Sequence, residues 1–261
     1  IMEAVDEKKE VLEHDPIAGW RLNPRKFIED NIPTIKLSHQ QKDGLDKIGK
    51  LVVAKIKAGT GKLMTDAEKK LAKKTGISIM SGKGTGKDTF AALAILWFMT
   101  CFPFPKIPCT APSAHQLKDV LWSEINKWYR QSNLFDKNNP KNSVFELQSD
   151  KFFQKEHRGK EWFAVARTVN VRDSVEDQAK TLDGFHADYM MFVVDEADGI
   201  PQPVFISFDS TLTQLCNFVL MIFNPTKRTG YAIESQQKNR ADWVCLNWNA
   251  EESELVNPNQ I

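Results

Sequence analysis

The chain has 261 residues, 41% of them hydrophobic and 26% charged. This is the composition of an ordinary globular protein, long enough to bury about 70–75% of its unfolded surface without disulfide staples. Lys and Arg number 35 against 34 Asp and Glu, so bulk charge points to no polyanionic partner and any nucleic-acid surface has to be a local patch.

Residues 1–36 are polar and broken by Pro16, Pro24 and Pro33, which predicts a short helical lead-in. Leu45, Ile48, Val52 and Ile56 then recur at helical spacing and predict a helix over 37–57. The turn Ala58-Gly59-Thr60-Gly61-Lys62 looks like a phosphate loop but lacks the first half of that motif. Thr65 and Glu68 have capping-box spacing at the start of a Lys-rich helix over 65–74. Residues 36–76 hold 11 Lys and 4 acids. Lys50, Lys55, Lys57, Lys62, Lys69, Lys70, Lys73 and Lys74 could therefore form a basic face for DNA phosphates, or a plain solvated surface. The run 150–160, with Lys151, Lys155, His157, Arg158 and Lys160, offers the same pair of readings.

Further on, short apolar runs alternate with helical patterns. Strands are predicted over Ile77–Met80, Lys106–Ala111, Trp162–Val169, Met190–Val194, Cys216–Phe223 and Trp243–Trp248, with helices over Lys87–Cys101 and Ser113–Gln131. Residues 132–160 read as loop with a weak strand at Val144–Leu147. This alternation implies a parallel β-sheet sandwiched between helices. The longest apolar run, Phe90–Phe102, is about 13 residues, too short to span a bilayer. Cys101, Cys109, Cys216 and Cys245 form no CxxC pair and read as reduced core thiols, not as zinc ligands.

The segment carrying the chemistry is Ser81-Gly82-Lys83-Gly84-Thr85-Gly86-Lys87-Asp88-Thr89, between a buried strand and a long helix. Glycines there let backbone N–H groups curl around phosphate oxygens at a helix N-terminus. Lys87 would reach the β- and γ-phosphates of a nucleotide. Compared with the motif G-x-x-x-x-G-K-[ST], Ser81 replaces the first glycine and Asp88 replaces the hydroxyl that binds Mg²⁺. The strand Met190–Val194 ends in Asp195-Glu196, about 100 residues on. Asp195 is expected to hold Mg²⁺ and Glu196 to orient and deprotonate the attacking water. Asn224 and Thr226, at the tip of the Cys216–Phe223 strand, are candidates to touch the γ-phosphate or the water. They also spell a simple turn signal.

Taken together, Cys109–Trp128, Leu182–Phe205 and Phe223–Thr226 resemble the large terminase subunit of tailed bacteriophages, the DNA-packaging motor, over roughly residues 15–250. The resemblance implies an α/β P-loop NTPase fold of the ASCE type, with ATP and Mg²⁺ as cofactors. It implies a lead-in over 1–36, an ATPase domain over 37–250 and a tail over 251–261. By resemblance Ser81–Thr89 is the Walker A turn, Asp195 and Glu196 are Walker B, and Phe223–Thr226 is the coupling motif. Lys83 stands where the family often has a γ-phosphate-sensing arginine. Asp88, Thr89 and Asp195 are the metal candidates. Leu37–Gln41 is similar to the adenine-reading Q motif, with Gln41 as the reader, Gln40 as the alternative, and a plain polar helix start as the third reading. The implied partners are double-stranded DNA, the portal protein, the small terminase subunit and further copies of the chain in a ring, in the bacterial host cytoplasm. Arg158, Arg167 and Arg172 are candidates to act on a neighbour's site. Ile261 comes too soon for the family's nuclease domain, so no nuclease activity is expected of these residues. The readings set against the motor are a helicase-like ATPase and a nucleotide-gated binding module in which Asp88 impairs hydrolysis.

Overall fold

The computed structural model describes residues 16–157, 159–169, 174–179, 184–206, 208 and 211–257. Helices α1 (Pro16–Leu22), α2 (Pro24–Asn31), α3 (His39–Gly59) and α4 (Asp66–Ala72) precede the first strand, β1 (Gly76–Ser81). Helix α5 (Lys87–Cys101) follows the glycine loop and leads to β2 (Lys106–Thr110). Then come α6 (Ser123–Gln131), β3 (Phe145–Leu147), β4 (Lys151–Gln154), β5 (Phe163–Ala166) and the short α7 (Val175–Ala179). The chain closes with β6 (Tyr189–Val194), β7 (Cys216–Phe223), α8 (Tyr231–Gln236) and β8 (Trp243–Trp248). Among the described residues no helix is long and apolar enough to cross a membrane.

The eight strands form one sheet in the order β3-β4-β5-β2-β6-β7-β1-β8. Strand β7 is inserted between β1, which feeds the glycine loop, and β6, which ends in Asp195. The sheet is parallel from β5 to β8, but β3 and β4 add an antiparallel edge. The parallel sheet implied by the sequence thus carries an antiparallel edge in addition. The turn 148–150 reverses the chain, with the Gln148 N–H donating to the Lys151 carbonyl at 2.7 Å, and a chain that turns this tightly can only pair antiparallel.

Period-two alternation splits the core between the two faces of the sheet. Met191 and Val193 of β6 and Phe218, Leu220 and Ile222 of β7 face α5, whereas Met190, Phe192, Val194, Val219, Met221 and Phe223 face Phe205 and Phe208. Helix α5 is apolar all round, and Phe90 to Met99 are fully buried, as expected of a central helix. The described part of the lead-in packs onto it. Trp97 Nε1 donates to the Trp20 carbonyl at 2.8 Å, Arg21 Nε donates to the Cys101 carbonyl at 2.6 Å, and Phe27 and Ile28 are fully buried.

The helix predicted over 113–131 is wound more widely at first, as a π-helix over Gln116–Trp122. The buried residues Leu117, Leu121, Ile125 and Tyr129 recur every four positions, longer than the 3.6-residue α repeat. The wider turn keeps them on one face. Thr65 caps α4 in the expected box with Glu68. Four of the eight lysines of the candidate basic surface have partners within the protein. Lys57 pairs with Glu68 at 2.5 Å and Lys69 with Asp66 at 3.1 Å. Lys55 donates to the Ala72 carbonyl at 3.2 Å, and Lys74 donates to the Ala241 carbonyl.

Candidate functional site

The glycine loop leaves β1 at Ser81. Gly84 and Gly86 sit at φ 77° and 80°, left-handed conformations that favour glycine. Ser81, in the place of the motif's first glycine, has its Oγ 2.5 Å from the buried Thr85 Oγ1, and Thr85 Oγ1 also donates to the Gly82 carbonyl at 3.2 Å. This hydroxyl pair braces the loop across its base. Helix α5 starts at Lys87 behind Gly86, with no side chain capping its N-terminus. Its first N–H groups and the positive end of its dipole are therefore available to an anion. Lys83 is exposed at the loop tip.

Lys87 is 9% exposed, and its ammonium is surrounded by carboxylates. It lies 2.6 Å from Glu196 Oε1, 3.0 Å from Asp88 Oδ1 and 3.9 Å from Asp195 Oδ1. Burial pulls its pKa down, but Asp195, Asp88 and Glu196 more than offset this and hold it above the ordinary lysine range. Asp195 is 1% exposed. Burial, against the pull of Lys87 and aided by Asp88 and Glu196, pushes its carboxyl up to about 7.

Strand β6 positions the two acids. The Asp195 N–H donates to the Thr110 carbonyl at the end of β2 at 2.9 Å, and the Glu196 N–H donates to Asp195 Oδ1 at 3.0 Å. Glu196 sits at φ 47° and ψ 46°, a left-handed conformation that is costly for a residue with a Cβ. This conformation turns the chain out of the strand where the Glu196 carboxylate meets Lys87. Backbone strain of this kind clusters at functional sites.

The tip of β7 touches both halves of the site. Asn224 Nδ2 donates to the Ser81 carbonyl at 2.8 Å, and the Thr226 hydroxyl donates to Asp198 in the turn after Glu196. Gln41 closes a capping box with Ser38, its Oε1 accepting from the Ser38 N–H at 3.1 Å. Its Nε2 donates to the Gly86 carbonyl at 3.0 Å. One amide N–H and one oxygen lone pair of Gln41 are thus left without a partner among the described residues, one donor and one acceptor side by side. Gln40 turns the other way, donating from Nε2 to the Asn249 carbonyl at 2.9 Å.

Thr89 departs from expectation. Its hydroxyl donates to Glu124 Oε2 at 2.7 Å and does not join Asp88 and Asp195, because the next residue on a helix points about 100° away. Glu124 also accepts from Trp128 Nε1 at 2.8 Å and pairs with Lys127 at 3.1 Å. Nothing in the sequence flagged Glu124, an ordinary acid on a helix. Asp88 and Asp195 converge on Lys87, and among the described residues no group of three or more His, Cys, Asp or Glu is arranged to hold a metal ion unaided. Their hard carboxylate oxygens nonetheless suit Mg²⁺. Of the arginines, Arg167 is exposed with its guanidinium 5.7 Å from the Phe185 ring centroid. Arg158 and Arg172 lie outside the described residues.

No protein-family model matches the chain. A probable terminase large subunit from Enterobacteria phage P7 is 26% identical over 187 residues, which is 69% of this chain and 36% of that protein. The chain thus spans about a third of that relative. Two solved structures of the large terminase from thermophilic bacteriophage D6E share the fold at 10% identity. The one in complex with ADP has a TM-score of 0.55, covering 86% of this chain and 48% of that one. The other has a TM-score of 0.53, covering 80% and 47%. In sequence the chain is similar to a terminase large subunit, and in fold to large terminases.

Proposed function

We propose that the chain is the ATP-hydrolysing motor of a large terminase, binding ATP and Mg²⁺ at the glycine loop and driving double-stranded DNA into a prohead. The observation that carries this reading is the Lys87 ammonium held by Asp88, Asp195 and Glu196 at the mouth of an uncapped helix. The β- and γ-phosphates of ATP compete for the donors of Lys87. As Lys87 turns to them, Glu196 is released to orient a water and take its proton. Mg²⁺ held by Asp88 and Asp195 would neutralise phosphate charge. Lys83, exposed at the loop tip, would approach the γ-phosphate. Asn224 and Thr226 tie the phosphate loop to the acid-bearing turn, which suits them to register the γ-phosphate.

The wider assembly belongs to the same proposal. It comprises a ring of copies on a portal, a small terminase subunit, a neighbour's arginine, with Arg167 the described candidate, and action in the bacterial host cytoplasm. Glu196→Gln tests the core of the proposal. The amide keeps the shape but cannot take a proton, so ATP should still bind while turnover falls by about 10²–10⁴. Loss of ATP binding in this variant would make Glu196 a structural residue or a metal ligand.

A further inference from the structure

Beyond β8 the chain turns back across the glycine loop. The Gly82 N–H donates to the Trp248 carbonyl at 2.8 Å. A Cβ on Gly82 would lie 2.9 Å from the Ala250 Cβ, and one on Gly84 would lie 3.3 Å from Val256 Cγ2. One on Gly86 would lie 2.7 Å from Leu255 Cδ1 and 2.6 Å from Gln41 Nε2. Three glycines of one loop therefore touch three residues of one segment, and Gly86 brings Leu255 and Gln41 together. The segment is built in place. Ser253 Oγ accepts from the Leu255 N–H at 3.3 Å, and the Ser253 carbonyl accepts from the Val256 N–H at 3.2 Å. Glu254 accepts from the His39 N–H at 3.3 Å and lies 3.0 Å from His39 Nδ1. The same carboxylate thus clasps the segment to the start of the helix that carries Gln41.

Leu255 is 44% exposed. A single exposed leucine means little on a surface. This one touches a phosphate-loop glycine beside a glutamine amide that has one donor and one acceptor to spare. A purine base has a polar edge for such an amide and apolar faces that need cover.

We propose that Leu255 is a specificity-determining residue of the nucleotide site, laying its side chain over the face of a purine base whose edge Gln41 reads, with the Glu254–His39 clasp positioning it. The inference rests on reading the glycine loop as the ATP site. Gln41 is 1% exposed with Leu255 in place, so the base enters by swinging the leucine aside. That displacement costs little, because the side chain is already half in water, and covering the base then buries what remains.

The test separates base from phosphate. Binding of ATP and of inorganic tripolyphosphate is measured by calorimetry on the parent chain, Leu255→Ala, Leu255→Met and Glu254→Ala. Leu255→Ala should weaken ATP by about three- to tenfold, the scale of leaving the exposed part of a leucine unburied, and leave tripolyphosphate unchanged. Leu255→Met should hold ATP within about twofold, because methionine conserves apolar volume. Glu254→Ala should weaken ATP alone, by less than Leu255→Ala. Equal weakening of both ligands, no change in either, or tighter ATP binding by Leu255→Ala would overturn the assignment while leaving the ATP site intact. Failure of the parent to bind either ligand would overturn the ATP reading and this inference with it.

Discussion

The strained backbone at Glu196 gives a test that separates the cost of its conformation from the loss of its side chain. Glu196→Gly and Glu196→Ala both delete the carboxylate that accepts from Lys87 at 2.6 Å, so the lost ion pair cancels when the two variants are compared. Alanine keeps a Cβ in the left-handed conformation at φ 47°, at a cost of about 1–2 kcal/mol. Glycine escapes that cost but loses about 0.5–1 kcal/mol more chain entropy on folding. The difference leaves the glycine variant more stable than the alanine variant by about 0.5–1 kcal/mol. In a chain of this size that is roughly 1–3 °C in Tm. Thermal unfolding followed by circular dichroism measures it, and an ATPase assay should find both variants inactive. A glycine variant that melts at or below the alanine variant would show that residue 196 is not held in the left-handed region.

Lys87→Ala should leave the fold standing and abolish hydrolysis, and turnover within about threefold of the parent, some 0.6–0.7 kcal/mol of barrier, would mean that Lys87 is not the phosphate lysine. The Asp195 carboxyl, at about 7 in the folded protein against 3.8 ordinarily, makes the folded state hold a proton that the unfolded state has released. Nucleotide-free stability should therefore fall as pH rises from about 4 to about 7, and Asp195→Asn should remove that part of the slope. Urea midpoints of parent and variant that run parallel across this range would refute the shift. Under the proposed function Asp88 brings its carboxylate beside the nucleotide phosphates, so Asp88→Ser should bind ATP more tightly than the parent in chelator. Equal affinities there would reduce Asp88 to a helix-end acid.

Much of this was legible in the sequence where the signal is local. The bounds of α5, β7 and β8 follow from apolar runs ending at Pro103, Asn224-Pro225 and Asn249, and the glycine spacing marked the turn between β1 and α5. Strand β4 was missed because Phe152 and Phe153 are only two apolar residues inside a basic stretch, too few to show a period. The partner of Thr89 and the clasp between His39 and Glu254 were missed for another reason. The latter two residues are 215 positions apart, and no local pattern encodes a contact at that range. Asp195 and Glu196 were recognisable as a strand-end pair, but the left-handed turn at Glu196 was not. A glycine would have announced such a turn, and the proposed chemistry needs a carboxylate there instead.

The all-round burial of α5 also has a consequence for synthesis. Its aromatic residues wait for partners encoded far downstream. Phe98 packs against Phe218 of β7, and Phe102, just past the helix, against Tyr189 of β6. At ~5–20 residues per second, the ribosome takes roughly 6–25 s to travel from the end of this helix to Phe218. During that interval one of the most apolar stretches of the chain has no sheet to lie on, long enough for it to meet another nascent copy. The N-terminal helices, already made, offer Trp20, Phe27 and Ile28 as an early cover for one side of α5. Their packing on that helix thus equips the growing chain to hold its central helix before the sheet exists.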